Sequence, residues 1–126
     1  MILKYVKGIN SKVGDSFFSE QFDCHCKYEK CNFTLIDTDL IDVLESVITR
    51  FHTLRINSGY RCSAHNHDVG GKAGSIHLLG KAADIFTELA SPQEIHEYLE
   101  NINGGLGLYS TFVHVDVRGY KARWFI

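Results

Sequence analysis

The sequence predicts an α+β fold in which a small antiparallel sheet packs against helices. Two observations support this prediction: one long segment repeats its apolar residues with a period near 3.6, and several short segments alternate or are apolar throughout, as β-strands are. The chain has 126 residues, 44% of them hydrophobic, and only 1 proline. This composition fits one folded domain over residues 1–126, and no repeat, linker or low-complexity tract divides it.

The first half of the chain is predicted to contain an edge strand, a short helical turn and one long helix. The strand is expected over residues 2–9 and the turn over 16–22, with Phe17, Phe18 and Phe22 in the core. Residues 34–51 place apolar side chains on one stripe, which predicts an amphipathic scaffold helix.

The second half is predicted to alternate short strands and short helices. Ser63 is expected to cap a helix over residues 64–69. Ser91, Pro92 and Glu94 are typical of a helix start, as N-cap, first helical residue and capping-box partner. Strands are expected over residues 53–57, 82–86 and 112–117, and residues 122–126 are expected to pair with the last of these. A loop is expected over residues 72–79, and a helix should stop at residues 103–105.

Charge and hydropathy exclude several classes of partner. The formal net charge is −2, and no basic cluster provides the footprint of a nucleic-acid binder. No stretch approaches the roughly 20 apolar residues that span a bilayer, so membrane insertion is not expected. The N-terminal residues lack the features of a secretory signal. We therefore expect cytoplasmic synthesis, with action outside the cell only after release or delivery.

Histidines and aspartates in apolar strands indicate a metal site. A strand period of two places His114 and Asp116 on one face, and Asp84 lies within an otherwise apolar strand. Buried carboxylates need a partner, and a cation is a strong one. Two imidazoles and a carboxylate, with one position left open, are typical of catalytic zinc.

Three motifs resemble those of the zinc D-alanyl-D-alanine carboxypeptidases, and more narrowly their compact phage and prophage branch. The motifs are Ser58-Gly59-Tyr60-Arg61, Ser75-x-His77-x-x-Gly80-x-Ala82-x-Asp84, and Gly105-x-Gly107-x-Tyr109 followed by Phe112-Val113-His114-Val115-Asp116. They occur in the expected order across nearly the whole chain. The resemblance implies the fold shared with the zinc-binding domain of hedgehog proteins.

The resemblance also implies a role for each motif residue. His77, Asp84 and His114 would be the zinc ligands, with Asp116 the general base. Arg61 would bind a substrate carboxylate or polarise the scissile carbonyl. Ser75 would support His77 by hydrogen bonding, and Gly80 would permit the turn between the ligands.

The last motif departs from part of that family. Several branches place a catalytic acid three residues before the last histidine, where this chain has Thr111. Relatives with His-x-His at this point use the second histidine as ligand. By that alignment Asp116 would bind the metal and His114 would transfer protons. We favour His114 as ligand, because Asp116 then remains for a role that has no other candidate.

Four cysteines leave three interpretations open. Cys24, Cys26 and Cys31 lie in one short segment, and Cys62 directly follows Arg61. They could hold a second, structural zinc, form disulfides outside the reducing cytosol, or remain free thiols. Nucleophilic catalysis by cysteine is not expected, because the zinc site would already supply a nucleophile.

The predicted function is zinc-dependent hydrolysis of peptide bonds in bacterial peptidoglycan, by a monomer acting on stem or cross-link peptides, as a phage or prophage lysin would. The alternative is a non-catalytic zinc-containing binding module or virion structural module of the same fold. His65 and His67 are interpreted as exposed residues, and Trp124 and Phe125 as core residues.

Overall fold

A computed structural model describes all residues from Met1 to Ile126. It confirms a mixed α+β architecture, with three α-helices and nine short strands. The strands are β1 Ile2–Val6, β2 Lys12–Val13, β3 Phe17–Phe18, β4 Phe33–Asp37, β5 Arg55–Ser58, β6 Ala82–Phe86, β7 Gly105–Leu108, β8 Val113–Asp116 and β9 Ala122–Phe125; the helices are α1 Thr38–Phe51, α2 Ser63–Asp68 and α3 Pro92–Tyr98, with 3-10 turns at Ser19–Phe22 and Ile76–Leu79.

The central sheet has five strands in the order β5-β6-β8-β7-β9. All neighbours are antiparallel except β7 and β9, which pair in parallel. The prediction that the last strand pairs with the segment around His114 is therefore wrong, because β7 lies between them. β7 was not predicted from the sequence, because its two glycines follow Gly104 and resemble a helix stop.

The two faces of the sheet have different environments. Ala83, Ile85, Val113 and Val115 point to one face and join the main hydrophobic core, which also contains residues of α1 and α3. Side chains alternate along a strand, so the intervening polar residues of β6 and β8 share the opposite face. The apolar core therefore supports the strands from behind, while their polar side chains meet in front.

The predicted long helix begins later than expected. Residues Phe33–Asp37 form β4, which pairs antiparallel with β1 in a separate two-stranded sheet. Asp37 then caps α1, with its side chain accepting a hydrogen bond from the backbone N–H of Asp39 at 2.8 Å. The segment from Phe33 to Ile36 is rich in aromatic and β-branched residues, and strand pairing outweighs its apparent helical period.

Other predicted boundaries shift for local reasons. β1 ends at Val6, and Gly8 turns the chain with φ 87°. The predicted turn over 16–22 divides into β3 and a 3-10 turn, and Phe18 is exposed while Phe17 and Phe22 are buried. The residue that caps α2 is Cys62, not Ser63. The capping box at the start of α3 is as predicted. No helix of the protein has the length and apolar character needed to cross a membrane.

Candidate metal centre

Strand register places two of the predicted ligands opposite each other. β6 and β8 pair so that Asp84 lies directly across from His114, and Ala82 across from Asp116. His77 approaches the same face from the 3-10 turn Ile76–Leu79, and its side chain is buried. Residues far apart in sequence therefore meet because the sheet fixes two of them and a tight turn fixes the third.

The three side chains form a group of metal-ligand size. Oδ1 of Asp84 lies 3.3 Å from Nε2 of His77 and 3.1 Å from Nδ1 of His114. One potential ligand atom from each residue lies within 4.8 Å of the others, and all three residues are buried. The two imidazole rings are 5.1 Å apart and nearly perpendicular, at 79°.

The hydrogen bonds of His77 determine which nitrogen faces the centre. Its Nδ1 lies 2.7 Å from the carbonyl oxygen of Gly59. Since a carbonyl only accepts, Nδ1 must carry a proton and donate it, and Nε2 is the nitrogen that faces Asp84. The hydroxyl of Ser75 accepts from the backbone N–H of His77 at 3.3 Å. Both contacts fix the orientation of this candidate ligand, and an anchored second nitrogen is usual for histidines that bind zinc.

A carboxylate anchors the far side of His114. Oδ2 of Asp116 lies 2.8 Å from Nε2 of His114, the nitrogen that faces away from Asp84. Asp116 also accepts hydrogen bonds from the backbone N–H of Gly105 at 2.7 Å and from Nη2 of Arg118 at 2.7 Å. Asp116 is 0% exposed, and its carboxylate forms an ion pair with Arg118.

These contacts favour a different role for Asp116 from the predicted general base. The imidazole of His114 lies between this carboxylate and the group that it forms with His77 and Asp84. Donors engage both oxygens of Asp116, with Nε of Arg118 3.0 Å from Oδ1 and 3.2 Å from Oδ2. The general-base role stays a prediction, and the geometry points to a carboxylate that positions a ligand histidine. The alternative in which Asp116 itself binds the metal has less support, since Asp116 is outside the three-residue group.

Contacts between the carboxylates and the imidazoles shift the pKa values of Asp84 and His114. Burial would raise the pKa of Asp84, but hydrogen bonds from His114 and His77 outweigh it and hold this pKa well below its usual range. Burial would lower the pKa of His114, but Asp116 and Asp84 raise it above its ordinary value. Both nitrogens of His114 face carboxylates, so a cation beside Asp84 would take the place of one proton.

Arg61 lies at the edge of the group. Its Nη2 is 3.4 Å from Oδ2 of Asp84, the oxygen that does not face the histidines. Its Nε donates to the hydroxyl of Ser58 at 3.2 Å, and Nη1 to Oδ1 of Asn66 at 3.4 Å. Arg61 therefore holds one carboxylate oxygen of Asp84 and leaves the other directed at the imidazoles.

The sequence did not predict several residues that lie at the site. Arg118, which pairs with Asp116, looked like part of a turn, although a strand period of two places it on the face of His114 and Asp116. The indole of Trp124 lies 5.0 Å from the ring of His114, so this residue lines the site and is not a core residue as predicted. Phe125 is 68% exposed, and its assignment to the core was wrong.

The glycines of the last motif make room for these side chains. A Cβ on Gly105 would overlap the carboxylate of Asp116, and one on Gly107 would overlap the indole of Trp124. Gly107 is paired with His114 on one side and with Trp124 on the other. The Gly-x-Gly spacing thus lets the histidine and the tryptophan approach each other across β7.

The other predicted candidates fall into two sets. The four cysteines converge into a second group that shares no residue with the first. His67 is exposed and His65 half-buried, and neither belongs to a group of potential metal ligands.

The residues of the first group fit a zinc ion. They provide two imidazole nitrogens and one carboxylate oxygen, which leaves a fourth tetrahedral position for water or substrate. Each histidine has its remaining nitrogen bound to an oxygen acceptor, Gly59 for His77 and Asp116 for His114. This arrangement is the one expected of ligands held ready for a metal.

A comparison with protein families agrees with this geometry. The model of the family described as Peptidase M15 matches residues 15–116, which include the three candidate ligands and all four cysteines. No curated protein and no solved structure matches the chain. The matched region is most of the chain and contains both β6 and β8, which carry the buried polar residues. The chain therefore belongs to the Peptidase M15 family, a family of zinc metallopeptidases of the D-alanyl-D-alanine carboxypeptidase type.

Proposed function

We propose that this metallopeptidase hydrolyses peptide bonds of bacterial peptidoglycan, with one zinc ion held by His77, Asp84 and His114. The observation that supports the proposal is the convergence of these three buried side chains, each with a second contact that fixes its orientation. The resemblance to carboxypeptidases acting on D-alanyl-D-alanine favours stem or cross-link peptides as substrates. Cleavage at a peptide terminus and within a cross-link are both compatible with this site.

Zinc bound here would act as a Lewis acid towards the scissile carbonyl and lower the pKa of a water molecule to about 7. The chain's own residues prepare the site for that chemistry. His77 presents Nε2 because Gly59 holds its other nitrogen, and Asp84 presents Oδ1 because Arg61 holds its other oxygen. Little reorganisation of the ligands is then needed during the reaction.

Arg61 is proposed to contact the substrate as well as Asp84. Its guanidinium has five N–H donors, and three contacts within the protein use only part of them. The remaining donors suit a peptide carbonyl or a terminal carboxylate, through a planar, charge-assisted contact. The indole of Trp124, beside His114, would form an apolar wall next to the scissile bond.

The biological setting proposed from the resemblance is a phage or prophage lysin. Such an enzyme is made in the cytoplasm, reaches the wall by release or delivery, and works as a monomer on its peptide substrate.

The test is mass spectrometry of peptides released from purified peptidoglycan. New fragments should appear with the native protein, disappear with a zinc chelator and return with added zinc, and their masses identify the bond. His77→Ala should abolish release. His67→Ala is the matched control, since it removes an exposed histidine outside the site. If zinc-loaded protein releases nothing from several wall chemistries, the proposal fails in favour of a binding or structural module.

A further inference from the structure

The four cysteine sulfurs lie close enough together to bind one metal ion. The Sγ atom of Cys62 lies 3.8 Å from that of Cys24 and 3.8 Å from that of Cys26, and all four sulfurs, including that of Cys31, lie within 4.8 Å of one another. A tetrahedral zinc with Zn–S bonds of about 2.3 Å requires sulfur–sulfur edges of about 3.8 Å. A disulfide would need about 2.05 Å, and no pair is bonded.

The surroundings of the sulfurs suit thiolates. Nζ of Lys7 lies 3.5 Å from the sulfur of Cys26 and 3.6 Å from that of Cys31. The backbone N–H of Cys62 donates to the sulfur of Cys24, and that of His65 donates to the sulfur of Cys62, each at 3.4 Å. Four thiolates around Zn²⁺ carry a net charge of −2, and one ammonium with two amide donors partly compensates it.

We propose that Cys24, Cys26, Cys31 and Cys62 bind a second zinc ion in a closed structural site, distinct from the His77–Asp84–His114 group. With four protein ligands no position remains for water, so this ion has no direct part in hydrolysis. Each thiol gives up its proton as the metal binds, so assembly releases protons and favours neutral over acidic pH.

The second zinc would support the first site through the chain between them. It ties the segment of Cys24–Cys31 to Cys62, which directly follows Arg61. The backbone N–H of Arg61 donates to the carbonyl of His77 at 3.2 Å, and Gly59 accepts from the ring of His77. Cys62 also caps α2, whose Asn66 contacts Arg61. The thiolate site therefore anchors the segment that orients His77 and Arg61.

The experiment counts metal ions and identifies their ligands in the full chain, purified under reducing conditions with zinc. Native protein should carry two zinc ions per chain, and His77→Ala one. Cobalt(II) exchanged into His77→Ala should show the intense charge-transfer absorption of a tetrahedral thiolate complex. His25→Ala, a change between two of the cysteines, should keep the spectrum and the metal count.

A thiol titration completes the test without depending on cysteine variants that fold poorly. In zinc-loaded His77→Ala, all four thiols should react slowly with a thiol reagent and rapidly once a chelator is added. Absence of bound metal in this variant, a cobalt spectrum without thiolate bands, or a mass lower by two hydrogens per disulfide would each overturn the proposal. None of these readouts uses peptidoglycan cleavage, so they separate this inference from the proposed function.

Discussion

At the scale of single residues, the orientation of the candidate ligands depends on a second set of contacts behind them. His77 and His114 each have one nitrogen facing Asp84 and the other bound to an oxygen acceptor. Asp116 is itself held by Gly105 and Arg118, so the orientation of His114 is fixed through two successive layers of contacts. The sequence motifs contain the candidate ligands, Asp116 and Gly105, whereas the pairing of Asp116 with Arg118 became evident only from the structure.

Replacing Asp116 with Asn distinguishes positioning from proton transfer. Asn keeps an acceptor for Gly105 but weakens the hold on the Nε2–H of His114 and the pairing with Arg118. If Asp116 positions the histidine, zinc affinity should fall about 10–100-fold, and saturating zinc should restore much of the activity. The measurements are zinc titration with a competing chelator and peptide hydrolysis at increasing zinc. Full zinc affinity with lost activity would support the general-base role instead.

At the scale of elements, the turn between His77 and Asp84 is tightly constrained. Gly80 ends the 3-10 turn with φ 74°, a conformation that residues with a side chain rarely adopt, and a Cβ there would overlap the backbone of Leu35 in β4. Its carbonyl accepts from the backbone N–H of Asp37 at 2.8 Å. The turn that joins these two candidate ligands is thus packed against the strand that leads into α1.

Gly80→Ala and Gly70→Ala form a matched pair. Gly70 has nearly the same φ, 73°, but nothing lies within 4 Å of the position of its Cβ. Gly70→Ala should cost only the left-handed strain, about 1–2 kcal/mol in free energy of unfolding. Gly80→Ala should cost clearly more, because the backbone must also move. Urea denaturation measures both, and equal losses would contradict the packing argument.

The cap of α1 gives a pH-dependent prediction. Burial would raise the pKa of Asp37, but Lys81, whose Nζ lies 2.6 Å from Oδ2, and the backbone N–H of Asp39 lower it below its usual value. A lowered carboxyl pKa contributes stability above the unfolded pKa, about 3.9, and this contribution is lost as pH falls through the folded pKa.

Asp37→Asn keeps a capping residue but removes this titration. The native protein should exceed the variant in unfolding free energy at pH 6, and the difference should shrink as the pH falls below about 4. Urea denaturation of both proteins at each pH, with matched metal content, measures the difference. A difference that does not change with pH would contradict the ion pair.

At the scale of the whole molecule, sequence patterns predicted the fold class and single elements better than they predicted which strands pair. The α+β class, the buried strand of Asp84 and the capping box of α3 follow from local periodicity and capping chemistry. The parallel pairing of β7 with β9 does not, because the glycines that make it fit are selected by Asp116 and Trp124 on other strands. Likewise, β4 appeared helical until its pairing with β1 was known.

Metal removal should destabilise the whole domain. A ligand that binds only the folded state stabilises it by about 2.7 kcal/mol at one hundred times its dissociation constant. For a chain of this size that is about 10 °C in melting temperature. Calorimetry of native protein with zinc and with a chelator should show such a shift, reversible on adding zinc. In His77→Ala the shift in melting temperature should be smaller, because only the cysteine site would remain to bind zinc. If chelation leaves the melting temperature of the native protein unchanged, metal binding does not stabilise the fold.

The pairing of Asp84 with His114 across β6 and β8 has a further consequence for folding. A slip of one residue between paired strands exchanges their two faces, so it would turn His114 into the apolar core and a valine towards Asp84. Only the native register brings the imidazole and the carboxylate to one point. A divalent cation present during refolding would therefore enrich correctly paired chains, because misregistered ones offer it no complete set of ligands.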